Sequence, residues 1–357
     1  MLLWYATSLI RDTIFLILIQ ESCPGYLNFP HDHALYQGNN WGEIPEWSVV
    51  RCADVILVMD CDVPWVKIRF QPSPETRLYQ IDSDALKVQM TLFHLPAELS
   101  CQANARTALQ QISASIRESQ VVDTKAQARI NQRIQELNTL HNEYIERIRA
   151  KETLTEDEVI TPHYFIGRLR AHLDQDTIIL SEGISNYRPI ADALRRNNPG
   201  TYYTSGATAL GWHGGAAIGV KLAEPDKTVV TISGDGTYLF SIPSTVHWIA
   251  RKYETPFLSV ILNNRGWKSP MLSAFAVHGT RGYSGNAESD DLHVTLDPPP
   301  DYAQIAVAAG AGFGAKVTSP SEVDAAIEKA LRTVREEKRA AVLDVWLEKF
   351  NVGDPVG

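Results

Sequence analysis

The sequence predicts an α/β protein built on a doubly wound parallel sheet over residues 159–357. A partial α/β middle domain at 21–100 and a long helical linker at 101–158 precede it, behind an apolar segment at 1–20. Two observations predict this. Short β-rich apolar runs alternate with segments of helical spacing, the pattern of strands joined by crossover helices. The stretch 228–268 also reads as strand, tight turn, helix and second strand, and a right-handed crossover sets those two strands side by side and parallel.

Residues 1–20, MLLWYATSLIRDTIFLILIQ, are apolar but split by Arg11 and Asp12, so neither half reaches the length of a spanning helix. No positive charge precedes the apolar run and 21–24 make a poor cleavage context, unlike a signal peptide. A buried helix or strand, a membrane anchor and a segment foreign to the fold stay open; the expectation adopted is no membrane attachment. Residues 53–60 (ADVILVMD) and 76–84 (TRLYQIDSD) are strand runs closing on aspartates, with Asp82 and Asp84 read as caps facing water.

From 103 to 150, Ala126, Ile130, Ile134, Leu137, Tyr144 and Ile148 recur at helical spacing among Arg, Glu and Gln. Sustained heptads are missing, so the reading is an amphipathic helix packed on the domains, with a partner-binding helix as the alternative. The second domain then shows a helix at 162–173, a strand at 177–180 and a glycine-rich helix start at 211–215. The strand at 229–232, the turn 233–237, a helix at 242–253 with Pro243 in its first turn and a strand at 257–262 follow. Residues 267–301 read as a long irregular stretch. A helix at 302–309, a short strand at 314–317, a helix at 321–338 and a strand at 341–347 complete the alternation.

At 357 residues the chain has room for two domains. Its net charge of −9, spread along the chain, argues against nucleic acid as a partner. Cys23, Cys52, Cys61 and Cys101 form no Cys-x-x-Cys pair and read as reduced thiols of an intracellular protein, not a disulfide framework or a zinc site. The expected location is the cytoplasm, with the mitochondrion as an alternative.

The chemistry is concentrated at the carboxyl ends of the strands at 229–232 and 257–262, the edge where open α/β sheets bind ligands. Asp235 offers a carboxylate, Asn264 an amide oxygen and Gly266 a backbone carbonyl, the oxygen donors that magnesium takes beside phosphate. Gly234 and Gly236 let the backbone approach a phosphate closely. Those residue types in that placement suit a metal-bound diphosphate; a plain turn and a plain strand end are the alternative. His213, in GWHGG, is a candidate catalytic acid/base because histidine titrates near neutrality. Lys268, His278 and His293 are candidate pocket residues, and Trp267 and Met271 read as pocket wall or core.

Gly234-Asp235-Gly236, 26 intervening residues and Asn263-Asn264 resemble the thiamine-diphosphate motif. SEGISNY (181–187) and RNNPGTYYTSGATALGWHGGAAIGVKLAEPDK (196–227) stand upstream in the family's order. This is the order of acetolactate synthases, benzoylformate decarboxylases and 2-hydroxyacyl-CoA lyases, and the similarity spans roughly residues 160–350 as their pyrophosphate-binding domain. The resemblance implies that Asp235, Asn264 and the Gly266 carbonyl bind Mg²⁺. It sets Ile184, Ser185, Gly236 and Thr237 along the diphosphate, the Thr208 carbonyl on the aminopyrimidine and Leu210 under the bent cofactor. YLNFPHDH (26–33) and the strands around it resemble the second half of a middle domain that binds FAD or an ADP group in some members; with only that half present, an FAD site is not expected to be complete.

The implied activity is cleavage or formation of carbon–carbon bonds of 2-oxo acids, with the cofactor as electron sink. The family's activating glutamate comes from an N-terminal pyrimidine-binding domain of a partner subunit. Glu21, Glu43 and Glu46 lack the matching strand–helix context, so no activating residue is assigned. Three expectations follow: an incomplete chain of a homo-oligomeric enzyme, a half-enzyme served by a partner chain with the pyrimidine domain, or a non-catalytic binding protein. Donor and acceptor substrates stay unassigned.

Overall fold

The computed structural model describes residues 2–6, 17–22, 24–41, 49–67, 70–90, 95–119, 124–155, 157–205, 209–278 and 291–350. It divides into two compact units, Met1–Ile148 with Arg195–Pro199, and Arg149–Leu194 with Gly200–Gly357.

The first unit holds β1 (Leu2–Ala6), β2 (Ile17–Ser22), β3 (Tyr36–Asn40), β4 (Val55–Met59), β5 (Arg77–Asp82) and β6 (Leu99–Gln102), in the order β3-β2-β1-β4-β5-β6. β1 runs antiparallel to β2 and β4, and the other pairings are parallel. Both described parts of the apolar N-terminal stretch are therefore strands. Alternate residues of β4, Ile56 and Val58, enter a core with Trp65, Phe70 and Leu78, as the period of a strand dictates. Asp82 is not the solvent-facing cap expected: it is buried, and its carboxylate holds the Lys87 ammonium at 2.8 Å. Lys87 also reaches Asp62 at 2.8 Å, which compensates the desolvated pair.

After α1 (Ala105–Glu118) comes α2 (Thr124–Lys151), whose described apolar stripe is buried from Leu137 onward. Leu137, Tyr144, Ile145 and Ile148 are buried, whereas Ile134 is exposed. Tyr144, Ile145 and Ile148 pack with Tyr36 of β3, and His141 Nδ1 lies 2.7 Å from the Tyr36 carbonyl. Cys61 is buried and Cys101 exposed, both as free thiols. Among the described residues no helix is long and apolar enough to cross a membrane.

The second unit opens with α3 (Pro162–Ala171), started by the Thr161 hydroxyl accepting from the Tyr164 N–H and by Pro162 in the first turn. There follow β7 (Ile178–Glu182), α4 (Tyr187–Leu194), β8 (Tyr202–Thr204), α5 (Trp212–Ala223), β9 (Val229–Gly234), α6 (Asp235–Phe240) and α7 (Pro243–Lys252). β10 (Leu258–Asn263), α8 (Lys268–His278), α9 (Tyr302–Ala308), β11 (Phe313–Val317), α10 (Val323–Arg335) and β12 (Ala341–Trp346) complete it. The six strands are all parallel, in the order β11-β12-β10-β9-β7-β8. β7, β9, β10 and β12 are mostly apolar and almost wholly buried, as a sheet covered on both faces requires. One helix layer joins α5, α7 and α9, the other α3, α4 and α10.

The chain leaves β7 for β8 on one side and returns to β9 on the other. β7 and β9 therefore flank the switch point, where their carboxyl ends open a crevice.

Two local expectations change. The stretch 267–301 is not irregular throughout: α8 occupies its start, anchored by Met271 against Val294 and Phe350. The turn at 233–237 runs straight into α6, and the following helix starts at Pro243, because Ile242 before the proline takes a left-handed conformation.

Candidate functional site

The carboxyl ends of β7, β9 and β10 converge on a cavity of about 370 Å³ within the second unit. Asp235 is the residue after β9. Its Oδ1 accepts from the Gly236 N–H at 2.8 Å and its Oδ2 from the Gly266 N–H at 2.9 Å. The second bond spans the crossover and ties the turn after β9 to the turn after β10. The parallel register, Leu262 beside Gly234, is what brings the two turns level.

Burial pushes the Asp235 carboxyl up to about 6, while backbone N–H groups of Gly236, Gly266 and Arg265 pull the other way. A buried carboxylate with this balance gains from a nearby cation. Gly266 pairs across to Thr295 through its neighbours: Trp267 donates to the Val294 carbonyl at 2.7 Å, and Leu296 donates to the Arg265 carbonyl at 2.8 Å. In such a pairing the N–H and C=O of the middle residue point to the opposite side, which for Gly266 is the side of Asp235.

Ile184 and Ser185, in the 3₁₀ turn after β7, line the same cavity, with Leu210, Gly234, Gly236, Thr237 and Asn264. Thr208 lies outside the described residues. Glycine at 236 is required by close approach: a β-carbon there would stand 2.2 Å from Cζ3 of Trp267. A β-carbon on Gly266 would stand 2.2 Å from the Phe350 ring and 2.4 Å from the Val294 carbonyl oxygen. The cavity therefore combines a narrow glycine-walled end, a desolvated carboxylate and an amide beside it. Those features fit a magnesium diphosphate, with Asp235, Asn264 and the Gly266 carbonyl as the oxygen donors.

Lys268 lines the cavity, as do Tyr187 and Ser205, whose hydroxyls are 2.9 Å apart. Sequence reasoning passed over the last two, although Tyr187 closes the quoted SEGISNY run. His278 and His293 do not line it.

The acid/base candidate His213 also stands apart. It is buried in the first turn of α5, and its Nδ1 lies 2.8 Å from Oε2 of Glu182. Its ring stacks on Tyr238, whose hydroxyl is 3.1 Å from His247 Nε2. The ring is buried against Glu182 and is not among the residues that line the cavity. Glu182 itself was not singled out from the sequence, because all its partners lie some thirty residues ahead of it.

Residues 183–345 match the family described as "Thiamine pyrophosphate enzyme, C-terminal TPP binding domain". The acetolactate synthase isozyme 3 large subunit of Escherichia coli is 27% identical over 279 residues, 77% of this chain and 44% of that protein. The benzoylformate decarboxylase of Pseudomonas aeruginosa is 28% identical over 179 residues, 49% of this chain and 31% of that protein. The crystal structure of benzoylformate decarboxylase from Polynucleobacter necessarius shares the fold with a TM-score of 0.62 at 20% identity, covering 91% of this chain and 55% of that one. The chain spans about half the length of the curated relatives it matches.

Proposed function

We propose, from the match of residues 183–345 to the thiamine pyrophosphate enzyme family, that this chain is a thiamine-diphosphate-dependent enzyme and binds thiamine diphosphate with Mg²⁺ in the cavity at the switch point. It would use the cofactor on carbon–carbon bonds of 2-oxo acids, as an acetolactate-synthase-like transferase or a decarboxylase or lyase. The observation that carries this reading is the Asp235–Gly266 hydrogen bond with Asn264 on the same cavity wall, three oxygen sources gathered from two crossover turns. When bound, thiamine diphosphate supplies an electron sink beside a carbonyl. Asp235, Asn264 and the Gly266 carbonyl would hold the metal. Gly234, Gly236, Thr237, Ile184 and Ser185 would flank the diphosphate, Leu210 would support the cofactor's middle, and the Thr208 carbonyl would meet its aminopyrimidine.

In this reading the activating carboxylate of the family would come from a pyrimidine-binding domain of a partner chain. Phe240 and Ile242, both exposed in the second unit, give such a domain apolar surface near the cavity, since Phe240 stands edge-on to Trp267 with ring centres 5.6 Å apart. The reading carries a cytoplasmic location and no nucleic acid partner.

Calorimetry with thiamine diphosphate and Mg²⁺ tests it. The chain should bind, and Asp235→Ala should weaken binding by about tenfold or more, since even outer partners of metal ligands are worth 10–100-fold. Unchanged affinity in that variant would sink the metal assignment. With pyruvate or benzoylformate the chain alone should turn over far below the ordinary range of about 1–10³ per second, and should gain activity with a pyrimidine-domain partner.

A further inference from the structure

Glu182 ends β7 and is completely buried. Its Oε1 accepts from the N–H groups of Gly211 at 3.0 Å and Trp212 at 3.2 Å. Its Oε2 accepts from the His213 N–H at 2.9 Å and faces His213 Nδ1 at 2.8 Å. These are the free amides at the start of α5, where a negative group is favoured by the helix dipole. A helix normally meets this need with a short polar side chain at its own N-cap. Here the N-cap is Gly211, which has no side chain, and a residue from a different strand does the work.

The consequence for the cavity comes from what adjoins each end of this contact. Gly183, the next residue after Glu182, lines the cavity, and Ile184 and Ser185 follow it. Leu210, the residue before Gly211, lines it too. Gly211 has φ +97, and a β-carbon there would stand 2.4 Å from the Phe240 carbonyl oxygen. The turn that presents Leu210 is thus clamped between the Glu182 carboxylate and the backbone at Phe240.

We infer that Glu182 is a positioning residue for cofactor binding. It ties the loop after β7 to the turn bearing Leu210 and so fixes the separation of the two cavity walls. The inference rests on the proposed thiamine-diphosphate reading of the cavity. It assigns Glu182 no contact with the cofactor; the residue acts through Leu210.

The test is calorimetric affinity for thiamine diphosphate with Mg²⁺, measured beside the melting temperature of the cofactor-free chain. Four variants are compared with the wild type: Glu182→Gln, Glu182→Asp, Leu210→Ala and the double variant Glu182→Gln/Leu210→Ala. Glutamine keeps the size but turns a donor toward amides that need an acceptor. Glu182→Gln should bind about tenfold more weakly, by analogy with outer partners of ligand-binding groups. The double variant should bind no more weakly than Leu210→Ala alone, because residues acting through one another are not additive.

Affinity of Glu182→Gln within twofold of wild type, or independent losses that multiply in the double variant, would overturn the inference. If Glu182→Gln does not fold, Glu182→Asp decides: the anion is kept but one methylene short, so wild-type affinity there also overturns it, and a loss suppressed in the Leu210→Ala background supports it. Failure of the wild-type chain to bind thiamine diphosphate would instead overturn the functional reading beneath it.

Discussion

Gly236 and Trp267 are packed so closely that the indole occupies the space of any side chain at 236. Gly236→Ala should therefore destabilise the chain by about 1–3 kcal/mol, the usual effect of overpacking. Trp267→Ala should relieve it, so the double variant should melt above Gly236→Ala alone. Thermal melts of the three variants check this, and a Gly236→Ala chain as stable as wild type would contradict the packing.

His247 makes the second unit acid-sensitive. It is buried between the Tyr238 hydroxyl and the Phe257 ring, which stacks on it with ring centres 5.6 Å apart. Burial, with a smaller push from His213, lowers its pKa from 6.5 to about 4. The unfolded chain therefore binds more protons between those values. The stability the neutral ring contributes is intact above pH 6.5 and is lost as pH falls toward 4, by at most about 3 kcal/mol. His163, lowered to about 4 by burial and by Lys151, acts in the same direction. Melting temperature should drop more steeply over this window in wild type than in His247→Gln. Parallel profiles would refute the assignment.

Ile242 holds φ +56 while largely exposed. A β-branched residue in the left-handed region is strained by about 1–2 kcal/mol, and glycine is not. Ile242→Gly should raise stability by about 1 kcal/mol in a urea melt, net of the freer unfolded chain. A loss of stability would show that the position is not strained.

These features divide by how far apart their causes lie in the chain. β9 and β10 were legible because each is a short apolar run bounded by turn residues, and their carboxyl ends named Asp235 and Asn264 directly. The start of α7 was read one residue early, although the rule that disfavours helix before Pro243 was available in the sequence. The antiparallel placement of β1 between β2 and β4 has no local signature, since strand runs do not carry their direction. Asp82 reads like any strand-end aspartate until Lys87 folds back on it. Glu182 and His213 were legible only as residue types. The contact that takes His213 away from the cavity joins positions 31 apart, and spacing alone cannot place it.

The register of β9 against β10 also acts as a ruler. Leu262 lies beside Gly234, so the two turns end at the same height. Sliding one strand by a residue would displace Asn264 about 3.3 Å along the sheet and turn alternate side chains to the opposite face. Both strands are mostly apolar, so such a slip would still bury oily surface and leave a folded sheet. The polar pair Thr231 and Ser259, hydroxyls 3.1 Å apart at the centre of these strands, marks the one alignment in which their buried oxygens meet. Core substitutions that loosen this alignment would therefore extinguish ligand binding well before they unfold the protein.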